Sequence, residues 1–397
     1  MYVIIKPEVH TMNQIIYEAY QNIREEIISI RREIHQHPEI GMDTHKTALL
    51  VSTVLQKYGI EHSILEDIAV IAEIHGEKEQ SDRVVMLRAD MDALPIQEET
   101  GLEYSSRKEG KMHACGHDIH TSTLLASAIV LHQMKKEFSG TIRFLFQPAE
   151  ETGEGAAFLI SHGALDHVNM GFGIHVDPLN PVGTLSYREG ASMASVGYFE
   201  IRIKGKSSHG AAPHKGKDAL VAASSLVMHL QTLVSRHFDP AKPLLVTVGQ
   251  FHSGTAYNIV AGEAYLEGTV RCFDEEIRLA VPAAMETIIK GVCESYECDY
   301  ELNYIQSEKV TYNHKEAVKV LESAAEKVFE KENIRTDELR MTGEDFSEYG
   351  YIVPCVFVHV GADGGYPLHS SKVCFNEDAI AYGVQIEVQF ALDALKQ

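Results

Sequence analysis

Residues 141–151 read Thr-Ile-Arg-Phe-Leu-Phe-Gln-Pro-Ala-Glu-Glu, an apolar run that breaks at Pro148 and ends on two adjacent carboxylates. The spacing predicts a buried strand over 141–146, with both acids just beyond its carboxyl end. The same arrangement recurs on either side. Residues 84–88 read as a strand followed by Asp90, and residues 171–175 as a strand closed by His175. A further strand is expected at 69–74, and helical patterns cover 121–135 and 155–162. Strands alternating with helices argue for a three-layer α/β domain built on a mostly parallel sheet. Sites in open α/β sheets lie beyond the carboxyl ends of strands, which is where Asp90, Glu150, Glu151 and His175 all fall.

Towards the start, Ile16, Tyr20, Ile23, Ile27, Ile30 and Ile34 recur at spacings of four and three. They predict one amphipathic helix, beginning near Asn13 as N-cap and ending before Pro38. Residues 1–11 ahead of it are expected to be dispensable. A second helix, over 44–58, should stop at Gly59. Beyond about Gly183 the texture changes. Residues 196–204 alternate, with Gly197, Phe199, Ile201 and Ile203 against Val196, Tyr198, Glu200 and Arg202, as a half-exposed strand should. Helix 217–235, strands 244–251 and 264–272, helix 275–294 and a closing strand before about Tyr304 follow. That order is the split βαβ, ferredoxin-like arrangement. Helix 314–331, strand 353–360 and helix 377–396 complete the chain. The expected organisation is a discontinuous catalytic domain, 1–185 and 305–397, interrupted by a smaller α+β domain at 186–304.

Over 397 residues the formal net charge is -22, a field that repels phosphate and argues against nucleic-acid and acidic-membrane partners. The six cysteines, at 115, 272, 293, 298, 355 and 374, show neither a Cys-x-x-Cys pair nor a secreted-scaffold spacing. Reduced thiols and a cytoplasmic location are the expectation, and Cys115 becomes a candidate ligand. No apolar run approaches the roughly 20 residues that span a bilayer. The opening Met-Tyr-Val-Ile-Ile-Lys-Pro-Glu has too short an apolar stretch, and the wrong charge order, for a signal peptide.

His113-Ala-Cys-Gly-His-Asp118 places a thiol two positions from an imidazole; Glu150-Glu151, His175 and His369 add carboxylates and further imidazoles. Taken singly, each has an ordinary explanation. Cys115 could be a buried thiol beside a helix start with Asp118 as N-cap, Glu150-Glu151 a solvated turn, and His175 a core histidine. His35, His37, His45, His62, His132, His162, His229 and His237 lack chemical neighbours in the sequence and are assigned no role. Together, one soft ligand with imidazoles and carboxylates makes a transition-metal inventory rather than a magnesium one. Two adjacent carboxylates let one hold metal while the other acts as a base, the division of labour that metal-assisted hydrolysis needs. A cysteine hydrolase using Cys115 as nucleophile would leave the Glu-Glu pair without a task. A non-catalytic binding protein would have no use for a carboxylate that binds no metal. No Gly-x-Ser-x-Gly elbow, His-Glu-x-x-His or Walker loop is present.

These residues resemble the amidohydrolase branch of the aminoacylase/carboxypeptidase-G metallopeptidases, which includes hippurate hydrolases and auxin-conjugate hydrolases. The matching segments are Leu87-Arg-Ala-Asp-Met-Asp-Ala-Leu-Pro95, His113–Asp118, Phe146-Gln-Pro-Ala-Glu-Glu151, Gly173-Ile-His175, Ser208-His-Gly210, Asn258-Ile-Val, Gly268-Thr-Val-Arg271, Gly343-Glu-Asp-Phe346 and His369-Ser. They span roughly residues 13 to 395. The wider family binds metal through a His-x-Asp histidine and a bridging aspartate. Here Arg88 stands for that histidine and Cys115 for the aspartate, the mark of the amidohydrolase branch, in which His117 takes over.

The resemblance implies two divalent ions (zinc, manganese, nickel or cobalt), with Cys115 bridging, His117 and His175 completing one position and Glu151 and His369 the other. It further implies Glu150 as the general base, Asp90 as a residue that orients a ligand, and His209 as an oxyanion donor reaching a partner subunit's site. Arg271 and Asn258 would hold the substrate's carboxylate. The implied activity is hydrolysis of N-acyl (acetyl, benzoyl, aryl-acetyl) amino acids or small peptides, with a dipeptidase or aminopeptidase as the alternative on the same site. The inserted domain would serve as a lid and as the contact of a homodimer.

Overall fold

The computed structural model describes residues 11–397, so the expectation for residues 1–11 lies, but for Thr11, outside the described part. Two compact units form. The first runs to Gly190 and is rejoined by Tyr312–Glu338 and Glu348–Gln397; the second comprises Ala191–Thr311 and Leu339–Ser347.

The first unit is built on an eight-stranded mixed sheet, ordered Glu61–Leu65, Ala69–His75, Thr141–Gln147, Val84–Asp90, Met170–Asp177, Cys355–Gly361, Leu185–Tyr187 and Ile334–Thr336. Its four central strands, from Thr141–Gln147 to Cys355–Gly361, are mutually parallel. Val84–Asp90, Met170–Asp177 and Cys355–Gly361 are buried at every position, as parallel strands covered on both faces must be. Gly171 is required there: a Cβ would sit 2.6 Å from Cys355 Sγ. The helix His117–Gln133 is buried all round from His117 to Leu131, with helices on its flanks. Among the described residues, no helix is long and apolar enough to cross a membrane.

The second unit's sheet runs Leu244–Ser253, Glu263–Cys272, Ser195–Lys204, Asp299–Glu308, antiparallel throughout. Helices Ala219–Thr232 and Glu275–Ser295 pack on it. In Ser195–Lys204 the inward residues Gly197, Phe199, Ile201 and Ile203 are buried while Tyr198, Glu200 and Arg202 are not, as the alternation predicts. Residues 339–347, placed by the sequence reading within the first domain, join this unit because the Ala194 amide donates to the carbonyls of Arg340 (2.9 Å) and Thr342 (3.1 Å).

Some expectations change in detail. The first helix is two, Met12–Gln21 and Arg24–Gln36, with a break that keeps the apolar stripe continuous across it. Its cap is Thr11, in a capping box with Gln14, rather than Asn13. The helix expected at 121 starts at His117, because Gly116, left-handed at φ 89°, turns the chain into it. Asp118 is therefore inside the first turn and is not the N-cap. Strand Glu61–Leu65 was not expected: no face of it is buried, so no alternation marks it. Leu185–Tyr187 and Ile334–Thr336, three residues each, are too short to show a period.

Candidate metal centre

Four chain segments of the first unit converge beyond the sheet. Strand Met170–Asp177 carries His175. The turn after Thr141–Gln147 carries Glu150 and Glu151, entered through Ala149 in the left-handed region (φ 55°), whose amide donates to the Gly41 carbonyl. The Cys115–His117 segment leads into the buried helix. A loop bends left-handed at His369 itself (φ 63°), and that residue's amide donates to the Ala114 carbonyl. Left-handed non-glycine residues are uncommon, and both here sit on or beside candidate ligands.

The predicted metal-binding residues are brought together. Cys115 Sγ lies 3.4 Å from His175 Nε2, and His369 Nε2 lies 3.4 Å from Glu151 Oε1. His117 Nε2 lies 3.9 Å from both Glu150 Oε2 and Glu151 Oε1. Potential ligand atoms of Cys115, His117 and His175 all fall within 4.8 Å of one another, as do those of Cys115, Glu151 and His369. Hydrogen bonds fix which nitrogen is available. His175 Nδ1 donates to the Val176 carbonyl (2.8 Å), leaving the Nε2 lone pair facing Cys115. Nε2 of His117 and Oε1 of Glu151 are buried without a hydrogen-bond partner. Buried polar atoms rarely go unpaired, and a cation between them is what this donor set fits.

The electrostatics agree. Burial, reinforced by the charges of Glu151 and Glu150, pushes the Cys115 thiol well above its usual range. Burial likewise drives His175 far down, aided by His120. At His117 burial is overcome by Asp90 and Asp92, which raise the imidazole to about 10. Asp90 is held well below the carboxylate range because His117, His120 and Arg88 outweigh its burial. Acids that stay ionised beside a thiol and an imidazole that hold their protons describe a negatively charged pocket in want of cations. A bound divalent ion takes its ligands deprotonated and reverses the sense at Cys115 and His117.

Three residues were not anticipated. His120 Nε2 accepts from the Val176 amide (2.9 Å), so its Nδ1 proton goes to Asp90 Oδ1 (2.6 Å), and its ring lies 4.6 Å from that of His175. Asp92 accepts from the amides of Glu150 and Glu151. His35, set aside on sequence, is buried with Nδ1 2.7 Å from Asp118 and Nε2 3.3 Å from Glu98. It lies one residue off the apolar stripe that ends at Ile34, so periodicity gave no sign that it faces inward.

The remaining candidates belong to the second unit. His209 is exposed, its Nδ1 accepting from the Ala211 amide, and it pairs across strands with Ile259. Asn258 is its neighbour, since the Gly210 amide donates to the Asn258 carbonyl (2.7 Å). Arg271 is half-buried in Glu263–Cys272 and donates to the Val270 carbonyl (3.1 Å).

A model of the peptidase family M20/M25/M40 matches residues 86–393. The chain is 42% identical over 304 residues to the N-acyl-L-amino acid amidohydrolase of Geobacillus stearothermophilus, covering 76% of this chain and 81% of that one. It is 35% identical over 374 residues to the N-acetylcysteine deacetylase of Bacillus subtilis (strain 168), covering 93% and 97%. A dinuclear metal-binding M20 peptidase of Bacillus subtilis superposes with a TM-score of 0.84 at 33% identity, over 95% of this chain and 99% of that one. With thiol, imidazoles and carboxylates converging as described, the chain belongs to peptidase family M20/M25/M40 and is a metal-dependent hydrolase of amide bonds.

Proposed function

We propose that the protein cleaves the amide bond of N-acyl amino acids, with Glu150 as general base. The observation that carries this reading is Glu150 itself, a carboxylate beside the ligand Glu151 and 3.9 Å from His117 Nε2, at the mouth of a convergent donor set. Cys115 would be shared between two positions, one completed by His117 and His175, the other by Glu151 and His369. When bound, two divalent transition ions (zinc, manganese, nickel or cobalt) lend Lewis acidity to the scissile carbonyl and the attacking water. Glu150 receives the water's proton and returns it to the leaving amine. Asp90 acts at one remove, fixing His120, whose ring supports His175.

From the second unit, His209 is proposed as the donor to the tetrahedral oxyanion, with Arg271 and Asn258 receiving the substrate's carboxylate. The protein is proposed to be a cytoplasmic homodimer. Exposed Leu220, Val221 and Met228 on helix Ala219–Thr232, beside the sheet's edge strand Leu244–Ser253, support self-association there.

The test strips the protein with a chelator and reloads each metal in turn. Acetyl, benzoyl and indoleacetyl amino acids are then assayed beside their amide-capped counterparts. Turnover should return with metal and fall at least about tenfold on capping. Activity surviving metal removal, or equal turnover of free and capped compounds, contradicts the reading.

A further inference from the structure

Asp92 is wholly buried, two residues past the end of strand Val84–Asp90, and touches three parts of the centre at once. Its Oδ1 accepts from the Glu150 amide (3.0 Å) and its Oδ2 from the Glu151 amide (3.3 Å). The same Oδ1 lies 3.5 Å from His117 Nδ1, closer than the 3.7 Å of Asp90 Oδ1. Asp90 is committed elsewhere, one oxygen to His120 Nδ1 and the other to Arg88, each at 2.6 Å. Of the two acids, Asp92 is thus the nearer to His117 Nδ1.

We infer that Asp92 is the positioning residue of the centre, tying the imidazole of His117 to the backbone of the Glu150-Glu151 turn so that His117 and Glu151 face their two metal positions in register. Three facts make this more than proximity. His117 and the Glu150-Glu151 turn lie on different segments, and the amides of both Glu150 and Glu151 donate to Asp92. Ala149 holds a left-handed backbone, so the turn needs restraint to keep its shape. A carboxylate on the far nitrogen of a metal-binding histidine fixes ring direction and raises ligand basicity. The inference rests on the metallohydrolase reading and adds a residue to it.

The test is a zinc-affinity cycle on the full-length chain, read by competition with a chromophoric chelator. Asp92→Asn should weaken zinc binding about ten- to hundredfold, the usual effect of removing such a partner. In a His117→Ala background the same change should cost less than about threefold, because its main target is gone. Equal losses in both backgrounds, or none in the first, overturn the role of Asp92. Should Asp92→Asn fail to fold, Asp92→Glu keeps the charge but displaces the carboxylate; it should lose affinity in the wild-type background and not beside His117→Ala, and additive losses again overturn the inference. A wild-type chain that binds no zinc, manganese, nickel or cobalt would instead refute the metallohydrolase reading itself, so the two failures are distinct.

Discussion

His175 gives its Nδ1 proton to the Val176 carbonyl and has only Nε2 left for a cation, 3.4 Å from Cys115 Sγ. A side chain so constrained has one direction in which to act, and the thiol it faces is the residue on which the centre turns. Cys115 takes part in both candidate groups, with His117 and His175 and with Glu151 and His369. Cys115→Ala should therefore lower metal content to one ion per chain or fewer, measured by elemental analysis of the purified variant; two retained ions would contradict a shared ligand. These candidate ligands stood out in the sequence because thiol, imidazole and paired acid are scarce types at strand ends. Asp92 and His120 were not. An aspartate after a strand and a histidine inside a helix carry no mark of their own, and their roles come from hydrogen bonds that only the folded chain makes.

Elements position these residues through a few tight places. Gly116 separates the candidate ligands Cys115 and His117 at φ 89°, and a Cβ there would sit 2.4 Å from Val176 and 3.2 Å from Phe375. Gly116→Ala must both adopt a left-handed backbone and push on the strand that bears His175, a cost of about 1–3 kcal/mol. Thermal denaturation should show a midpoint lower by a few degrees, with reduced metal content. An unchanged midpoint would mean that the helix start relaxes freely. Deeper in the fold, helix Ala379–Ala394 lays Glu387 against helix His117–Gln133, where Ser127 donates to it at 2.6 Å. Burial pushes this carboxyl from 4.5 up to about 8, the Ser127 bond opposing only in part. The folded state thus keeps a proton that the unfolded chain releases, so the contribution of Glu387 to stability falls as pH rises from about 4.5 to about 8 and levels beyond. Glu387→Gln should remove that slope, gaining on wild type as pH rises; parallel denaturation curves across this range would contradict a buried neutral acid. The pattern of strands and helices was readable because periodicity and burial agree along most of the chain. It failed where two helices share one stripe at Met12–Gln36, and in strands of three residues, where no period can develop.

Across the whole molecule, a net charge of -22 sets a repulsive field for a substrate that itself carries a carboxylate. Recognition then needs a local cation, the part proposed for Arg271, while the acidic centre of the first unit is balanced by metal. That the second unit takes up residues 339–347 was beyond sequence reading, because the link is a pair of backbone bonds at Ala194 with no side-chain signature. In the proposed mechanism Glu151 holds metal while its neighbour Glu150 carries the proton. Measuring metal stoichiometry and single-substrate turnover together on wild type and Glu150→Gln separates the two roles. Two ions per chain are expected in both proteins, with a turnover number lower by about a hundredfold or more in the variant, since only the proton carrier is lost. Near-normal turnover from a fully loaded Glu150→Gln protein would contradict that mechanism.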